Sequence, residues 1–145
     1  MKQKIILLII FLSSANFCLS SEAVDNLLNA KTLKCIWDGG VSITLDPNAK
    51  WVIEDTSLPE SIIDNIDLEK TTARMIGNAG SADINVYKFA YGLIFTEGSW
   101  NYFHTISIPY KTIPDSPEYY PAFYNRHVSM FGDVNSNLYG RCKVW

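Results

Sequence analysis

The stretch TLKCIWDGGVSITLD, residues 32–46, decides the fold class. Leu33, Cys35 and Trp37 alternate with Thr32, Lys34 and Ile36, and Val41, Ile43 and Leu45 alternate with Ser42, Thr44 and Asp46. A period of two sends successive side chains to opposite faces of an extended chain, so each run reads as a strand with one apolar face. Asp38-Gly39-Gly40 between them supplies residues that tolerate positive φ, and the whole reads as a β-hairpin.

The same rhythm continues outward along the chain. Trp51 to Ile53, Ile62 to Asp67, Thr71 to Ile76, Ile84 with Val86, Leu93 to Glu97, Tyr102 to Ile108, Tyr119 to Val128 and Leu138 to Val144 are strand candidates. Asn78-Ala79-Gly80-Ser81, Gly92 and Gly98-Ser99 mark reversals, and Pro109, Pro114 and Pro117 mark an irregular connection. Eight or nine short strands with turns every 8–12 residues predict an all-β domain, a single antiparallel β-barrel or sandwich of about eight strands. No window holds a helical period for long. Val24, Leu27 and Leu28 have the spacing of one or two helical turns, but residues 21–31 read as a leader without firm structure.

The first twenty residues read as an address. Lys2 and Lys4 precede the unbroken apolar run Ile5 to Leu12, and small and polar residues follow up to Ser21. This is the layout of a secretory signal peptide, and the run is too short to span a bilayer. Cleavage is expected after Ser20, which gives a signal peptide at 1–20, a leader at 21–31 and a β domain at 32–145. Lipidation at Cys18 is disfavoured by the bulky Phe17 before it. The expected location is periplasmic or secreted, with no membrane span.

Composition narrows the function. Of 145 residues, 48% are hydrophobic and 19% charged, which is a folding composition. The formal charge is −3, and without Lys2 and Lys4 the chain holds ten Lys and Arg against fifteen Asp and Glu, a net of −5. Nucleic acid is therefore not an expected partner, because phosphate binding needs clustered cations. Cleavage would remove Cys18 and leave Cys35 and Cys142, and two cysteines in an exported domain read as one disulfide closing nearly all of it.

Several segments together carry a resemblance: Ile66-Asp67-Leu68, the run from Ala73 to Asp83, Asn125-Arg126-His127, and Leu138-Tyr139-Gly140-Arg141-Cys142. Over roughly residues 33–143 they resemble a family of small exported bacterial β-domain proteins of uncharacterised function. That family shows Ser-Arg-His where this chain has Asn125-Arg126-His127. The resemblance implies export and a single domain, and brings no activity with it.

Few residues suggest chemistry. The two histidines, His104 and His127, both fall in strand candidates, and their spacing brings no three metal ligands together, so neither metal nor cofactor is expected. No Gly-x-Ser-x-Gly elbow is present, and oxidised cysteines are not nucleophiles. Gly77-Asn78-Ala79-Gly80 lacks the Gly-Lys-Ser/Thr ending of a phosphate loop and reads as a turn. Arg126 and His127 are adjacent in an aromatic strand, so they face opposite sides. An inward Arg126 needs a carboxylate, with Asp67, Asp83 or Glu97 as candidates, unless it serves as an anion-binding cation in a cleft. Tyr120 and Tyr124 share one face, and Tyr119 and Phe123 share the other. One aromatic face fills a core and the other is free for a partner.

The reading is an exported, non-enzymatic β-domain that binds a protein or small ligand in the cell envelope. Arg126, His127, Tyr120, Tyr124 and Trp100 are its candidate binding residues. The alternative is a small envelope hydrolase using His127 or His104 with a neighbouring carboxylate.

Overall fold

The structure, a computed structural model, describes residues 21–145 except 47, 49 and 130–133. The signal peptide read over residues 1–20, with Cys18, lies outside the described residues. Helix α1 (Ser21–Asn29) is followed by nine strands: β1 (Leu33–Leu45), β2 (Trp51–Thr56), β3 (Ser61–Asp67), β4 (Thr72–Gly77), β5 (Gly80–Phe89), β6 (Gly92–Ser99), β7 (Tyr102–Pro109), β8 (Tyr120–Val128) and β9 (Val134–Val144).

The strand order is β2-β1-β3-β4-β5-β6-β7-β8-β9, and β9 pairs back onto β1. Eight antiparallel strands thus close a barrel, and β2 stands outside the ring. Strand β1 makes this possible by its length. Its first residues, Leu33 to Cys35, pair with β3, whereas Gly40 to Leu45 pair with β2 along the same edge. Its other edge pairs with β9 from Leu33–Val144 to Thr44–Val134. Cys35 lies directly opposite Cys142 in that seam, and the two form a disulfide.

Asp38-Gly39-Gly40 is not the turn that the sequence suggested. The register of β1 against β9 shifts between Trp37 and Gly39, so Asp38 is the extra residue of a bulge inside one continuous strand. Tolerance of positive φ serves a bulge as readily as a turn, and Gly39 has φ 155. Gly40 is required for a second reason. A Cβ there would lie 2.2 Å from the Asn137 carbonyl oxygen, so the seam closes this tightly only without a side chain. The bulged Asp38 accepts a hydrogen bond from Arg141 Nη1 at 3.0 Å.

Alternation fills the barrel from one end. Leu33, Ile63, Ile66, Val86, Leu93, Phe95, Ile106 and Ile108 are fully buried with the disulfide. Each such side chain contributes on the order of 1.5–3 kcal/mol by leaving water. Helix α1 closes this end and corrects the expectation of a loose leader. Leu27 is 0% exposed, Ala23 and Ala30 are buried beside it, and the Tyr120 hydroxyl donates to the Ala23 carbonyl at 2.7 Å. A nine-residue helix is marginal alone in water, so its packing on the barrel holds it. No helix among the described residues is long and apolar enough to cross a membrane.

The turns follow local chemistry. Gly77 and Gly80 flank the two-residue Asn78-Ala79 turn. Asp67 Oδ1 accepts from the backbone N–H of Glu69 and Lys70, at 3.1 and 3.0 Å. Asp46 Oδ1 does the same for Asn48 and Lys50, at 2.9 and 2.8 Å.

Candidate functional site

The barrel end away from α1 is open, and the site lies in its mouth. Three antiparallel registers set one row of side chains there: Glu97 on β6 opposes His104 on β7, His104 opposes Arg126 on β8, and Arg126 opposes Ser136 on β9. Directly opposed residues share a face, and the buried Phe95, Ile106 and Tyr124 identify that face as the interior. A cavity of about 300 Å³ opens above them. Its walls are Met75, Tyr124, the β4–β5 turn and the segment from Leu58 to Ser61, where Pro59 interrupts the edge between β2 and β3.

An aromatic ladder crosses the floor. Ring centroids are 5.2 Å apart for Tyr102 and His104, 5.7 Å for His104 and Tyr124, and 5.5 Å for Trp37 and Tyr124. All are tilted, an arrangement aromatic pairs favour. Trp37 Nε1 donates to Ser61 Oγ at 2.7 Å, which ties the ladder to the rim.

The charges of the mouth are unevenly matched. Glu97 accepts a hydrogen bond from the Tyr102 hydroxyl at 2.8 Å, and its other oxygen stands 3.4 Å from His104 Nδ1. Glu60 is paired with Lys34 at 2.7 Å. Arg126 forms no ion pair among the described residues, so the sequence expectation of an internal partner is corrected. Arg74 is nearer to the other candidate acid, Asp83, which opposes it across β4–β5, and is itself bonded to Asp64 at 2.9 and 2.6 Å. Asp67 is held by Lys70 at 3.0 Å. His104 lies between Glu97 and Arg126 in the row, and Arg126 is exposed to solvent at the mouth, so its charge needs no buried partner.

Neither ring nitrogen of His104 has a hydrogen-bond partner, although both atoms are buried. The 3.4 Å approach to Glu97 is a charge contact without hydrogen-bond geometry. Burial holds the imidazole below its ordinary pKa. Glu97 opposes this shift, and Arg126 adds to it. The Tyr102 phenol is pushed up by its bond to Glu97, and Tyr124 is pushed up by burial.

A pH dependence follows from His104. Its folded pKa lies below the unfolded value of about 6.5, so the folded barrel binds that proton more weakly than the unfolded chain does. The neutral ring's contribution is fully present above that value and is lost as pH falls towards the folded pKa. The urea midpoint should therefore drop between about pH 7 and 5, and His104→Phe should remove most of that drop. The carboxylates of Asp46, Asp64 and Asp67 are also held low, but by hydrogen bonds, and their loss begins only below about pH 4. An unchanged drop in His104→Phe would show that another group is responsible.

The five candidate residues do not converge. Tyr124 and Arg126 line the mouth. Tyr120 is buried at the opposite end, where it holds α1. His127 is on the outer face, bonded to Asn135 at 2.7 Å and to Ser129 at 3.1 Å. Trp100, 91% exposed, stands on the β6–β7 turn. Phe103, Phe123 and Tyr139 are exposed on the outer wall. Sequence reasoning did not place Glu97, Met75 and the Leu58–Ser61 segment in the site. The turn at Trp100-Asn101 carried the signal for one of them, because counting back from it sets Glu97 against His104. Among the described residues, no three His, Cys, Asp or Glu side chains gather as a metal site.

No family model matches this chain, and no curated protein or solved structure matches it.

Proposed function

We propose that the protein is an exported binding domain that receives a small ligand in the mouth of its barrel, in the periplasm or outside the cell. One observation carries this reading. The mouth holds a cavity of about 300 Å³ in which Arg126, without an ion-pair partner among the described residues, lies beside Tyr124, Met75 and the partly buried His104. The cavity is near the lower end of the size range of small-molecule sites, and apolar and polar residues line it in nearly equal number. His104 does stand beside Glu97 at 3.4 Å, as the hydrolase alternative asks, and binding is favoured over that alternative only in its side-chain-nucleophile form. Among the described residues no serine, threonine or cysteine side chain is hydrogen-bonded to His104, and His127 points away from the cavity. The disulfide and the absence of a long apolar helix among the described residues are compatible with export.

A second reading, a protein partner on the outer wall, is favoured by the exposure of Phe103, Phe123 and Tyr139. Amide NMR with a set of small aromatic fragments separates the two. Shifts clustered at Ser61, Gly77, Ala82 and His104 are expected. Shifts confined to Phe123 and Tyr139, or none at the mouth, would overturn the small-ligand reading. Export is tested apart from binding: N-terminal sequencing of protein from the envelope fraction should begin near Ser21, and an intact Met1 would refute it.

A further inference from the structure

We infer that the ligand of the mouth is an organic anion, a carboxylate or phosphate carried on a flat apolar body of one or two rings. This rests on the small-ligand reading above and assigns its chemical class. The inference comes from the charges that line the cavity. Both acidic liners are engaged: Glu60 by Lys34 at 2.7 Å, and Glu97 by the Tyr102 hydroxyl at 2.8 Å with His104 beside it. Arg126 is the remaining charged liner, and among the described residues it has no carboxylate within ion-pair reach. A guanidinium presents a planar fork of donors that matches a carboxylate or a phosphate. It stands exposed at the rim, directly opposite His104 on the neighbouring strand.

Below the rim the character changes. Tyr124, almost fully buried, and the thioether of Met75 line the cavity there, and such side chains pack well against a flat apolar body. A cation at the entrance with apolar and aromatic side chains beneath it selects a molecule with one anionic end. A cation would meet Arg126 at the entrance. A neutral molecule would gain no charge-assisted bond from the exposed guanidinium.

Naphthalene-2-carboxylate and naphthalene-2-carboxamide are the probes, since they match in shape and differ in charge. Titrated into the oxidised protein and followed by amide NMR and calorimetry, the carboxylate should bind about tenfold more tightly or better. That advantage should shrink with added salt. Arg126→Met should bring the two probes to near parity and leave the melting temperature almost unchanged, because no ion pair is broken. Equal affinities in the unaltered protein, or a preference that survives Arg126→Met, would overturn the anion assignment and leave the small-ligand reading standing. Ala82→Phe, which narrows the mouth, should weaken both probes alike. Unchanged binding of both in that variant would place them elsewhere and overturn the mouth itself.

Discussion

Replacing Cys35 and Cys142 together by alanine should lower the stability of the barrel by roughly 2–5 kcal/mol. The two residues oppose each other in the β1–β9 seam, both 0% exposed, with a sequence separation of 107. A crosslink across so long a loop restricts the unfolded chain strongly, and the buried sulfurs add packing inside the barrel. Alanine is the better replacement, because a buried serine would add an unsatisfied hydroxyl. Urea unfolding of the oxidised protein, the reduced protein and the double variant is the measurement. Reduction and replacement should fall in the same direction by similar amounts. A double variant as stable as the oxidised protein would show that the seam holds without its crosslink.

Leu27→Ala should cost a comparable amount, about 2–5 kcal/mol, although Leu27 lies outside the barrel wall. Its side chain is wholly buried between α1 and the barrel end, in the same core cluster as Leu33 and Ile66. Truncation leaves a cavity that the rigid strands cannot fill. Leu28, only partly buried against that core, is the control, and its alanine variant should lose much less. If the two variants unfold alike, the helix is a loose cover and not part of the core. Hydrogen exchange sharpens the test, since the hydrogen-bonded amides in the second half of α1, Asp25 to Asn29, should open only with global unfolding in the unaltered protein.

How much of this was readable beforehand differs from one element to another. The strands were legible because alternation is a local signal, and Leu93 to Glu97 and Tyr102 to Ile108 fall inside β6 and β7. The disulfide was legible from cysteine arithmetic. Asp38-Gly39-Gly40 was misread because a bulge and a turn ask the same thing of the backbone. Only the partner strand, about a hundred residues away, decides between them. Helix α1 was discounted because nine residues carry little helical preference, and its stability comes from a barrel end that the local sequence does not display. In the site, Glu97 was considered only as a partner for Arg126, although counting back from the turn at Trp100-Asn101 sets it against His104. The placement of Met75 and the Leu58–Ser61 segment above that pair depends on closure of the ring. Closure was inferred from the sequence only as one of two architectures.

The seam also governs how the molecule can be made. Strand β1 has no complete partner along one edge until β9 is present, and β8 is in the same position. A chain interrupted before Val134 would therefore offer two long rows of unpaired backbone donors and acceptors, which is a template for association with other chains. The barrel has no smaller closed form along the way. Its pairing of Leu33 with Val144 is nearly as non-local as the sequence permits. Topologies of this kind fold slowly, on the order of milliseconds to seconds, because distant segments must meet before their contacts reward the lost freedom. Assembly should thus be all-or-none and late, with the arrival of β9 as the committing event. The cysteines, brought face to face only by that event, then lock an outcome already reached.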